Sequence, residues 1–164
     1  MALRRSREPR HAADRADSAA AAAAAIAWLG RRDFSGEALR ARLIRDGFAP
    51  ATAALAVAEL TARGLIDDRR FAENYVTWHA GRGQGPVRIG ADLRRLGLAA
   101  DQVQAGLARA PDWGALAARV RAAKFGATAP EKWAEQARQA RFLQYRGFSA
   151  DHIRAAMHAD LDLD

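Results

Sequence analysis

The sequence predicts an all-α protein of three tandem three-helix repeats that together form an elongated, curved rod. Three observations lead there. Half of the 164 residues are apolar and 27% are charged, and alanine and leucine dominate the apolar set, with few isoleucines, valines or threonines, a bias towards helix. The chain also resembles itself at a spacing of 50 residues: "LIRDGFAPATA" from Leu43, "LRRLGLAADQV" from Leu93 and "LQYRGFSADHI" from Leu143 superpose, aligning Gly47 with Gly97 and Gly147, and Phe48 with Leu98 and Phe148. Such a period marks a repeat architecture. Finally, glycines and prolines fall at regular offsets, where helices end and begin.

Residues 1–17 carry charge, Pro9 and no apolar periodicity, which predicts a disordered basic arm. The first repeat, residues 18–66, reads as helices near 18–30, 35–46 and 50–63. The second, 67–111, gives helices near 68–80, 86–96 and 100–109, and the third, 112–160, near 113–125, 130–146 and 150–159. In each repeat the shared glycine follows the second helix, where a left-handed residue closes the last turn. Pro50, Pro86 and Pro130 lie at predicted helix starts, where a missing N–H is harmless. Ser35, Asp67, Asp112 and Ser149 stand as N-caps. Residues 161–164 form an acidic tail. A three-helix unit of this size buries its apolar faces only by sharing them with neighbours, hence the rod.

Net charge is +7, from 24 arginines and 2 lysines against 19 acidic residues. Residues 119–148 carry seven basic side chains against two glutamates, whereas 149–164 carry one arginine against four aspartates. A basic surface attracts nucleic acid, acidic protein or anionic membrane. Cysteine is absent, which excludes disulfides, thiolate zinc sites and cysteine nucleophiles and fits a cytoplasmic location. The longest apolar run, residues 19–29, is mostly alanine and far short of the roughly 20 residues of a membrane span.

No catalytic constellation is evident, so no enzyme, cofactor or metal is expected. His152 and His158 are six apart, which is not a helical ligand pair, and the serines outside the arm stand at helix starts. Asp67 and Asp68 head a helix whose dipole favours negative charge, which explains them as caps. The stretch "GRGQGPVRIG", residues 81–90, suggests a phosphate cradle. It lacks the Gly-x-Gly-x-x-Gly spacing between a strand and a helix and reads instead as a hinge between helices that turns Arg82 and Arg88 outward.

The arginines are the informative residues, and most fall on the second helix of each repeat: Arg40, Arg42 and Arg45, then Arg88, Arg94 and Arg95, then Arg138, Arg141 and Arg146. A helix-turn-helix reading would need base-reading polar residues on the third helix, but in the first repeat that helix is nearly all alanine and other apolar residues until Glu59. Phosphate contact through the second helices is the better expectation.

The motifs "RRDFSGEALRARLIRDGF" from Arg31, "GLIDDRRFAENYV" from Gly64, "GPVRIGADLRRLG" from Gly85, "KFG" at Lys124 and "ARFLQYRGFSADHI" from Ala140 resemble those of the RecX regulatory proteins. They occur in family order and span nearly everything after the arm. The resemblance implies tandem three-helix repeats and a monomer that binds the RecA recombinase filament on single-stranded DNA. By that route it would inhibit the recombinase, ATPase and coprotease activities that serve DNA repair and the SOS response. Arg82, Arg88, Arg94, Arg95, Arg138, Arg141 and Arg146 are then the expected partner-binding or DNA-binding residues. The alternative is a general nucleic-acid-binding helical protein that acts without a recombinase.

Overall fold

The computed structural model describes residues 17–110 and 112–158; the expected arm up to residue 16 and the acidic tail lie outside them. Among the described residues there are nine helices and no strand. They are α1 (Ser18–Leu29), α2 (Gly36–Arg45), α3 (Pro50–Ala62), α4 (Asp68–Gly81), α5 (Pro86–Arg95), α6 (Ala100–Ala108), α7 (Trp113–Phe125), α8 (Trp133–Arg146) and α9 (Ala150–His158). Eight begin within a residue or so of the predicted start. The chain divides into two compact units, Met1–Asp68 and Arg69–Asp164, so the second and third predicted repeats fall in one unit.

In the first unit α1 packs on α3, and the residues each helix buries are small except for Leu60: Ala21, Ala22 and Ala25 on α1; Thr52, Ala53, Ala56 and Leu60 on α3. Alanine here is a packing residue as well as a helix former, because small side chains allow backbones to approach. Leu39 and Leu43 of α2 and Ile66 complete the core. Ser35 caps α2 as predicted, accepting from the Ala38 amide at 3.2 Å. Asp68 does more than head its own helix. Its Oδ1 accepts from the Gly36 amide at 2.8 Å, so it satisfies the free N-terminus of α2 from 32 residues away.

The second unit contains α4 to α9 around one core that includes Val76, Ile89, Leu93, Val103, Leu116, Leu143 and Phe148. Gly47, Gly97 and Gly147 all have positive φ, at 98°, 85° and 93°, as the repeat predicted. Gly147 also meets a neighbour. The Gly85 amide donates to the Arg146 carbonyl at 2.8 Å and the Val87 amide donates to the Gly147 carbonyl at 3.0 Å. The chain entering α5 is thereby bonded to the chain leaving α8. A Cβ on Gly85 would stand 2.3 Å from the Gly147 carbonyl carbon and oxygen, and one on Gly147 would stand 2.3 Å from Arg88 Cβ. The "GRGQGPVRIG" stretch thus holds the turn between α4 and α5, and it is also the joint between the second and third repeats.

One boundary differs. Helix α8 starts at Trp133, not near Pro130: the Pro130 carbonyl, which a helix begun there would give to a backbone amide four residues on, accepts instead from the Gln136 side chain at 2.9 Å. The Arg121 side chain is 0% exposed, and its guanidinium donates to the carbonyls of Ala127 and Thr128, each at 2.9 Å. These bonds fix the segment that leads from α7 into α8.

Gln139 occupies the core position held by Leu39 and Ile89 in the other repeats, is 5% exposed, and leaves its Oε1 without a hydrogen-bond partner among the described residues. A buried carbonyl without a partner costs about 1–3 kcal/mol. Gln139→Leu, which removes the unpaired carbonyl and places there the side chain found at position 39, is expected to raise stability by about 1 kcal/mol, read as a higher urea midpoint with an unchanged slope.

Candidate functional site

Helix α4 carries a row of rings towards its C-terminus: Phe71 lies 5.9 Å from Tyr75, Tyr75 stacks on His79 at 4.0 Å, and Trp78 meets His79 edge-on at 4.7 Å. Burial, with the Asp92 carboxylate adding to it, holds the Tyr75 hydroxyl above the usual phenol range, so it remains protonated well beyond neutral pH. The imidazole of His79 is fixed by Gln84 Oε1, 2.7 Å from its Nδ1. The row ends where Arg82 lays its guanidinium 3.7 Å over Trp78, which is 54% exposed.

Arg82 also lines a cleft of about 630 Å³ with Gly83, with Val120, Ala123 and Lys124 of α7, and with Phe142, Tyr145 and Arg146 of α8. The cleft forms for a local reason. Gly83 allows close approach, since a Cβ there would be 3.0 Å from Val120, and the Gly85–Arg146 bond brings the start of α5 to the end of α8. Lys124 Nζ lies 4.5 Å above Phe142, and Phe142 meets Phe125 edge-on at 5.3 Å. Tyr145 is 78% exposed. The Nε of Arg146 is buried and has no hydrogen-bond partner among the described residues. No carboxylate lines the cleft, and none forms an ion pair with its three cations among the described residues.

Of the seven expected arginines, only Arg82 and Arg146 meet in this cleft. Arg88, Arg94, Arg95, Arg138 and Arg141 are exposed on α5 and α8. Arg95 pairs with Asp92, and Arg138 pairs with Glu135 at 2.8 Å, spacings of three residues along a helix. Exposed pairs of this kind contribute little, about 0–1 kcal/mol, and are easily exchanged for another anion. Arg88, Arg94 and Arg141 have no carboxylate partner among the described residues.

Lys124, Trp78 and Tyr145 escape a search confined to arginines on second helices. The signal that finds them is a cation or aromatic near the C-terminus of a first helix, combined with the Phe142-x-x-Tyr145 spacing on α8. The first repeat has the corresponding groove between α1 and α2, lined by Ala24, Ala27, Trp28, Arg42, Arg45 and Asp46. At a spacing of 100, Arg42, Arg45 and Asp46 stand where α8 has Phe142, Tyr145 and Arg146. There Arg42 covers Trp28 at 4.3 Å and Asp46 supplies a carboxylate, so the groove's chemistry differs.

Among the described residues no cluster of His, Asp or Glu is placed to hold a metal, and no helix is long and apolar enough to cross a membrane. The structure gives two histidines local packing roles: His79 as above, and His152, whose Nδ1 lies 2.9 Å from Ser149 Oγ at the start of α9.

Two family models match. That of the second RecX three-helix domain covers residues 67–107, and that of the third covers 115–157. The regulatory protein RecX of Halorhodospira halophila is 43% identical over 136 residues, which is 82% of this chain and 84% of that protein. The chain belongs to the RecX family. The RecX protein of Vibrio vulnificus is 37% identical over 134 residues, 81% of this chain and 88% of its own length. The crystal structure of RecX from Lactobacillus salivarius superposes with a TM-score of 0.75 at 19% identity, over 88% of this chain and 96% of that one, a likeness of fold. The two RecX domain matches meet at the joint: Gly85 and Val87 lie in the second, Arg146 and Gly147 in the third.

Proposed function

We propose that this chain is a cytoplasmic, monomeric, non-enzymatic regulator that binds the RecA filament on single-stranded DNA and inhibits its recombinase, ATPase and coprotease activities. One observation supports the reading beyond family membership: Arg88, Arg94 and Arg141 are exposed on α5 and α8 without carboxylate partners, beside Arg95 and Arg138 in weak local pairs. Such a surface complements an acidic protein groove or a phosphate strand and steers association with either. Three repeats further allow several weak contacts to add through effective concentration.

The double variant Arg88→Glu/Arg94→Glu is expected to need about tenfold more protein for half-inhibition of RecA ATPase, with an unchanged thermal melt. Unchanged inhibition would remove these two residues from the interface. A second reading, nucleic-acid binding without a recombinase, draws on the cleft where cations and aromatic rings meet. The two separate by concentration: a regulator suppresses RecA well below the level at which it coats bare DNA.

A further inference from the structure

We infer that the cleft between the α4–α5 turn, α7 and α8 is a nucleotide subsite for single-stranded nucleic acid, with a phosphodiester held by Lys124, Arg146 and Arg82 and a base stacked on Tyr145. This deepens the functional reading above by giving one face of the chain a ligand class; its test needs no recombinase. The cations supply the first half of the inference. Three of them converge on one concavity without a lining carboxylate, and one carries a buried Nε lacking a partner, so the cleft favours an anion. Its volume of about 630 Å³ suits a nucleotide.

The aromatics decide which anion. Phe142 is already covered by Lys124, whereas Tyr145 is 78% exposed at the cleft edge. An exposed ring beside phosphate-binding cations is the pattern with which proteins hold unpaired bases. A double helix keeps its base faces stacked inside and leaves such a ring unused. An acidic peptide would satisfy the cations but has no flat face to offer Tyr145. The groove of the first repeat serves as an internal contrast. It has Arg45 in place of Tyr145 and Asp46 in place of Arg146, and its Trp28 is covered by Arg42. It therefore has neither an open ring nor a carboxylate-free wall, and the inference assigns no nucleotide to it.

The test is fluorescence anisotropy of the full chain with a labelled oligo(dT) and with a blunt duplex of equal length, across a salt series. Tyr145→Ala is expected to weaken oligo(dT) binding about tenfold while changing duplex binding less than twofold; Tyr145→Trp restores it. Lys124→Gln/Arg146→Gln is expected to lower the slope of log affinity against log salt on oligo(dT) by about 0.7, because the phosphodiester that the two hold is one phosphate contact. Circular dichroism melts confirm that each variant folds. Equal losses on both ligands, or no loss for Tyr145→Ala, would overturn the subsite. So would displacement of oligo(dT) by poly-glutamate at matching charge concentration, which would make the cleft an acidic-peptide site. If oligo(dT) binding behaves as expected while Arg88→Glu/Arg94→Glu leaves RecA inhibition intact, the interface assignment of that pair fails and the subsite stands.

Discussion

Gly85→Ala is expected to cost the unit Arg69–Asp164 about 3 kcal/mol or more, although it adds a single methyl group. The added carbon would lie 2.3 Å from the Gly147 carbonyl group and 2.5 Å from the Phe148 nitrogen. All of these are backbone atoms, which cannot rotate aside, so α5 and α8 must separate. Overpacking of this kind costs about 1–3 kcal/mol. Separation also stretches the Gly85–Arg146 and Val87–Gly147 hydrogen bonds, each with a net contribution of about 0.5–1.5 kcal/mol. Gly81→Ala is the control. It lies four residues earlier at the end of α4, nothing stands within 4 Å of its Cβ position, and its effect is expected to be neutral or slightly stabilising. Urea unfolding followed by circular dichroism measures both, and equal midpoints for the two variants would show that the joint tolerates expansion.

The second large effect is expected at Arg121. Arg121→Ala removes a wholly buried guanidinium and leaves the carbonyls of Ala127 and Thr128 without the donor that fixes them, a loss of about 3–4 kcal/mol. Arg121→Lys keeps the charge but replaces a planar fork, which reaches two neighbouring carbonyls through different nitrogens, with a point donor. It should recover only part of the stability. Faster amide exchange across residues 126–132, in excess of that in α9, is the local signature, since this segment joins α7 to α8. Lys124 and Phe125 adjoin it, so oligonucleotide binding should weaken in parallel. Wild-type exchange rates in Arg121→Ala would show that the segment is held by other contacts.

The sequence reveals what is local. Leu43, Leu93 and Leu143, with the glycines that follow four residues later, show the repeat because each copy has the same turn to make. The starts at Pro50 and Pro86 can be read from a single residue type. Long-range backbone contacts leave no such trace. That Gly85 faces Gly147 is invisible, since a glycine needed for approach looks like a glycine needed for a turn. Asp68 reads as a cap of its own helix and also caps another. Arg121 adds to the basic count of its segment while contributing nothing to the surface. The candidate site is half legible for the same reason. Charge on the second helices points to Arg146 and the glycine-rich turn after α4 points to Arg82, but Lys124 and Tyr145 matter only once α7 and α8 face each other.

The joint at Gly85 and Gly147 has a consequence for how such proteins can be recombined. Because both partners bond through main-chain atoms, the fit depends on neither side chain and tolerates none on the contact. A chimera that joins the second three-helix domain of one relative to the third of another therefore needs both glycines for its main-chain contact to form. Two glycines 62 positions apart in the chain thus form one structural unit, and changing either opens the same contact.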